Sequence, residues 1–124
     1  MSSARIVLSS LLLATFFAQA TPAASTASAE QVRFGIAVAR KGLWAEARFR
    51  FERALALDPR NAAALNNLAI ACEQQGEFAK ARESYEAALK LRPRNGHIQQ
   101  NYDLFREADA KRNRVSKVPA SASR

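Results

Sequence analysis

One cysteine, Cys72, and one histidine, His97, are all the chain holds of the side chains that build most transition-metal sites and nucleophile–base pairs. No second Cys or His exists to complete a metal site, and an internal disulfide is excluded outright. The four glycines, Gly35, Gly42, Gly76 and Gly96, are scattered, so no Gly-rich loop exists to cradle a phosphate. Serines concentrate towards the two ends, away from His97, which leaves no Ser/His/Asp arrangement to propose. Carboxylate pairs such as Glu73 and Glu77, or Glu83 and Glu86, have the spacing of a solvated helix face. A general acid/base pair needs burial to tune it, and nothing in these segments supplies that. No catalytic, cofactor-binding or metal-ligating residue is therefore expected, and Cys72, within an apolar stripe, is expected to act as a small buried hydrophobe.

The ends differ in composition from the middle. Residues 1–20 carry a basic start at Arg5, an apolar run over 6–17 and the small-residue triplet Ala18-Gln19-Ala20. That is the layout of a secretory signal peptide, and the run is too short for a helix that must cross roughly 30 Å of hydrocarbon. Cleavage after Ala20, and a periplasmic or secreted product, are the expectation; retention as an uncleaved anchor is the alternative. Residues 21–29, rich in Thr, Pro, Ala and Ser, read as a flexible spacer. The segment 112–124 has four cations, no acid and a closing Pro-Ala-Ser-Ala-Ser, and reads as a basic disordered tail. The formal charge of +8 is concentrated there, with a second cluster at Arg40, Lys41, Arg48, Arg50 and Arg53.

What the middle has is an internal repeat. Residues 28–61 align with 62–95 at an offset of 34, with fourteen identical positions. The identities include Ile36/Ile70, Gly42/Gly76, Ala47/Ala81, Ala54/Ala88, Leu55/Leu89 and Pro59-Arg60-Asn61/Pro93-Arg94-Asn95. Each copy splits at its glycine into two amphipathic helices. Gly42 and Gly76 stand where a helix ends on a left-handed residue, a conformation that costs glycine least. Pro59 and Pro93 push Asp58 and Arg92 out of helical geometry. Asn61 and Asn95 then serve as N-caps, and Ser28 with Gln31 reads as a capping box for the first helix. Phe34, Ala37 and Val38 are the expected core stripe of that helix. Gly35/Ala69, Ala47/Ala81 and Ala54/Ala88 let the helices approach while Phe51/Tyr85 fills the space between them. Residues 96–111 start like a third copy without its glycine turn. Ile98, Tyr102 and Phe105 can pack on the preceding hairpin as a capping helix, giving a helical domain over 30–110.

This set of positions resembles the tetratricopeptide repeat, a helix-turn-helix unit of 34 residues. The resemblance implies an all-α fold of two hairpins plus a cap, stacked as a right-handed superhelical array. It also implies a non-catalytic adaptor that binds a protein or peptide on a concave face lined by the first helix of each unit. By position, that face comprises Val32, Arg33, Ile36 and Arg40, then Asn66, Asn67, Ile70 and Gln74, then His97, Asn101 and Leu104. A subgroup of the family clamps a terminal carboxylate with a Lys and an Asn. The matching positions here, Val32 and Ile36, then Asn66 and Ile70, lack the cation.

Two repeats are short for an independent array, so self-association into a homo-oligomer or a stabilising partner is the corollary. The rival function is electrostatic: the basic tail and the Arg cluster engaging an anionic surface such as lipid head groups or cell-wall polymers. Nucleic acid is the weakest partner for an exported chain whose tail has no aromatic ring for base stacking.

Overall fold

The computed structural model describes residues 19–117, and the expected signal peptide and the end of the basic tail fall, for residues 1–18 and 118–124, outside the described residues. Five helices account for nearly all of it: α1 (Pro22–Ala39), α2 (Trp44–Leu57), α3 (Ala62–Gln74), α4 (Phe78–Leu91) and α5 (Gly96–Val115). They form two hairpins and a closing helix, an all-α array as the repeat requires.

The repeated punctuation acts as its chemistry dictates. Gly42 and Gly76 have φ of 76° and 75°, and no other described residue has positive φ. At each turn the chain folds back onto the helix it has just left. The Leu43 N–H donates to the Val38 carbonyl at 3.2 Å, and the Glu77 N–H donates to that of Cys72 at 2.9 Å. Asn61 and Asn95 cap α3 and α5 by accepting from the Ala64 and Ile98 N–H groups at 3.0 and 3.1 Å.

The start of α1 departs from expectation. Residues 21–29 are not a spacer but the first half of a helix, capped by Thr21, whose Oγ1 accepts from the Ala24 N–H at 3.2 Å, with Pro22 in the first turn. Pro is tolerated there because its missing N–H has no helical partner to lose. Ser28 is accordingly no N-cap. It is fully buried, donates to the Ala54 carbonyl at 2.8 Å and accepts from Asn61 Nδ2 at 2.9 Å, tying α1 to α2 and to the start of α3. The buried stripe is Ser28, Val32, Gly35 and Val38, the face that meets Phe51 and the Ala54 carbonyl of α2, and Phe34 and Ala37 are exposed.

The main core joins Val32, Phe51, Leu68, Cys72, Tyr85 and Phe105 with small residues from α2, α3 and α4. A smaller cluster of Ala62, Ala88 and Ile98 sits under the α4–α5 loop with Leu65, Leu89 and Leu91 against it. Large aromatics dominate such cores because each buries roughly 150–250 Å². The rings of Tyr85, Tyr102 and Phe105 lie 5.6 to 6.2 Å apart and seat α5 on the second hairpin.

The helix also runs further than 111. Residues 112–115 belong to α5, and the Arg112 guanidinium lies 3.6 Å from the Phe78 ring centroid while donating to Asp109. Asp109 accepts from Arg82 at 2.5 Å as well, so it bridges α4 and α5 and does not face water. The helical part of the expected basic tail is therefore ordered, with Arg112 packed and Asn113, Arg114 and Val115 exposed.

Candidate functional site: a trough along the first helices

A hollow of about 510 Å³ opens where α1, α3 and α5 lie side by side. Ile36 of α1 and Ile70 of α3, equivalent residues of the two copies, supply its apolar surface. Ala62 and Ala63 keep the start of α3 thin, and Asn66, Asn67, His97 and the loop residues Asp58, Arg60 and Arg92 complete the lining. A smaller hollow of about 180 Å³ adjoins it, sharing Ile36, Asn67 and Ile70 and adding Ala39, Arg40 and Trp44. Together they make a trough that crosses the array.

Of the residues expected on the concave face, the structure brings Ile36, Asn66, Asn67, Ile70 and His97 together, with Arg40 at the adjoining end. Val32 must be corrected. It is a buried core residue, on the face of α1 that packs against α2 through Ser28 and Gly35. Arg33, Gln74 and Leu104 are exposed but line neither hollow, and Leu104 stands 59 % exposed beyond them. Asn101 acts from beneath: its Nδ2 donates to Asn66 Oδ1 at 3.1 Å, which fixes the amide of the nearly buried Asn66 and ties α5 to α3.

The hydrogen bonds distinguish wall from free valence. Asn61 and Asn95 are committed as caps, and Asn67 Nδ2 is committed to the Ala63 carbonyl at 2.8 Å, which leaves its oxygen without a described donor. Asp58 accepts from the Arg60 N–H at 3.0 Å and from Ser25 at 3.3 Å. Arg60 and Arg92 have no anionic partner among the described residues. The free polar groups are thus mostly donors, beside two isoleucines. An arrangement of this kind binds carbonyl or carboxylate oxygens and apolar side chains.

The loop residues were missed in the sequence because Pro59-Arg60-Asn61 and Pro93-Arg94-Asn95 look fully explained by helix ending and capping. The usable signal was the repeat itself. A loop that recurs in phase opens onto the same side of the array twice, so its charged residues share one face.

Nothing in the trough resembles a reaction centre. Among the described residues no three His, Cys, Asp or Glu side chains converge as a metal site would require. Burial pushes the Cys72 thiol up, away from the thiolate range, so it is a poor nucleophile. Burial and its hydrogen bond to Glu73 push the Tyr85 hydroxyl up as well. No described helix is long and apolar enough to cross a membrane.

A family model described as Tetratricopeptide repeat matches residues 32–96, just over half the chain. The chain belongs to that family. Proteins of this family mediate protein–protein interaction and are typically non-catalytic scaffolds, which agrees with a surface trough and a helical core. No curated protein matches the chain significantly.

Proposed function

We propose that this tetratricopeptide repeat protein is a non-catalytic adaptor that holds an extended segment of a partner protein in the trough between α1, α3 and α5. The supporting observation is the convergence of Ile36 and Ile70 with the uncommitted donors of Arg60 and Arg92. An extended chain presents side chains alternately, so one set meets the isoleucines while its carbonyls or acidic groups meet the arginines. The guanidinium groups of Arg60 and Arg92 present donors in fork geometry, suited to carboxylate or paired carbonyl oxygens. The adaptor works outside the cytoplasm in this proposal, on the strength of the apolar run over 6–17 and the Ala18-Gln19-Ala20 triplet.

The test is affinity capture from the native host's exported proteins, with the partner identified and then titrated as a purified component. Ile70→Glu places a charge in the trough at an accessible position, and it should weaken binding about tenfold or more, as loss of a central apolar anchor does. Truncation after Lys117 removes the rest of the chain without touching the Arg112–Phe78 contact, and it should leave affinity within about threefold, since Arg124 is the one charged side chain lost. Abolition of binding by the truncation, with Ile70→Glu silent, would transfer the function to the tail.

A further inference from the structure

The two ends of the array are finished differently, and internal symmetry identifies what is missing at the first one. In the second copy Ala64, Leu68, Ala71 and Ser84 are buried, and α3 packs against α2 of the first hairpin. Their equivalents at the matching places of the first copy are Glu30, Phe34, Ala37 and Arg50, on a face that no described hairpin covers. Phe34 is 47 % exposed there, and neighbouring Phe49 is 49 % exposed, with the Arg50 guanidinium between them, 4.3 Å from one ring centroid and 5.5 Å from the other. At the far end the corresponding side of α5 carries Gln99, Asp103 and Arg106, a polar closure of the type terminal repeats need. Among the described residues the first end has none.

The charges of the open face decide its occupant. Glu46 is taken by Arg50 at 2.9 Å, while Arg33, Lys41 and Arg53 have no anionic partner and Glu30 no cationic one among the described residues, which leaves the face positive on balance. Two copies meeting face to face would oppose these cations to themselves, and docking on α5 of a second copy would bury the phenylalanines on a polar surface; both cost energy. The apolar run over 6–17 has no acid to offer. The same face in the second copy is covered by helices. We infer that the exposed α1–α2 face, centred on Phe34 and Phe49, receives an acidic amphipathic helix of a partner protein, in the position that the first hairpin occupies against the second copy. This face lies apart from the trough and is used independently of it.

The experiment titrates the full chain with a synthetic amphipathic helical peptide of about five turns, leucine on one face and glutamate flanking it. Parallel titrations use the same peptide with lysine for glutamate, and phosphatidylglycerol vesicles. The glutamate peptide should bind, with chemical-shift changes confined to α1 and α2, and the lysine peptide should not. Phe34→Ser with Phe49→Ser, and separately Arg33→Glu with Arg53→Glu, should each weaken binding about tenfold, while Ile70→Glu leaves it unchanged. All four positions are exposed or at the surface, and circular dichroism checks that the fold is retained. Absence of glutamate-peptide binding, equal binding of the lysine peptide, or vesicle binding that depends on Phe34 and Phe49 in place of peptide binding would each overturn the inference. So would a dimer in sedimentation that dissociates on Phe34→Ser with Phe49→Ser.

Discussion

Phe51 leans across the first hairpin onto a place where α1 has no side chain. A Cβ added at Gly35 would stand 2.4 Å from Phe51 Cε1 and 2.8 Å from Cδ1, well inside contact distance. Gly35 is therefore a steric requirement, although glycine inside a helix ordinarily costs about 1 kcal/mol relative to alanine. The two effects oppose each other in Gly35→Ala, and overpacking against a fully buried ring, about 1–3 kcal/mol, wins. Gly35→Ala should lower the urea midpoint. Gly42→Ala meets no neighbour within 4 Å, but its φ of 76° is unfavourable for alanine, so it should cost about 1 kcal/mol without any packing change. Nuclear magnetic resonance separates the two: only Gly35→Ala should disturb the aromatic ring resonances of Phe51. Gly35 was legible in the sequence as a small residue at a helix crossing, but Ser28 was misplaced. Its hydroxyl is bonded to a carbonyl 26 residues away, a contact that no local pattern encodes.

Between elements, Arg48 is the joint of the two hairpins. It donates to Glu52 within α2 at 3.0 Å and, across the repeat boundary, to Glu77 at 2.5 Å and Gln75 at 3.3 Å. The hydrogen bond from Arg48 holds the Glu77 carboxyl below the usual carboxylate range. A depressed value in the folded state means that the contribution is complete above the ordinary glutamate range and is lost as pH falls through the lowered one. Arg48→Met keeps most of the side-chain length and removes this linkage. Its urea midpoint should fall below that of the wild type at pH 7, and the difference should shrink as the pH drops below about 4, where glutamates protonate. A gap that persists unchanged into acid would assign the loss to packing. Helix existence and turn position were readable at this scale because glycine, proline and asparagine act locally. The true start of α1 was not, because the Thr and Ser interspersed among its alanines are weak helix formers and a stretch this short depends on what Ser28 and Val32 pack against.

At the scale of the molecule, the folded unit includes the segment that composition assigns to a spacer. Deleting residues 1–20 should leave the thermal midpoint within about 2 °C, since the cap at Thr21 and the whole of α1 remain. Deleting residues 1–29 removes Ser28 with both of its buried hydrogen bonds and leaves α1 about ten residues long, near the limit at which a helix persists even with packing. That variant should lose several degrees at least, or lose cooperative unfolding, in differential scanning calorimetry. Equal midpoints for the two deletions would mean that the first half of α1 contributes nothing to the core.

The sequence by itself determined the period, the all-helical hairpins, the glycine turns, the asparagine caps and the family. Each of these rests on chemistry within a few residues, duplicated in phase 34 positions later. The tertiary structure decided which faces of those helices meet. It turned Val32 inward and Phe34 outward, made Asn101 a support for Asn66, and brought Arg60 and Arg92 to the trough from separate loops. A helix offers several faces compatible with one pattern of apolar residues, and only the neighbours it packs against choose among them.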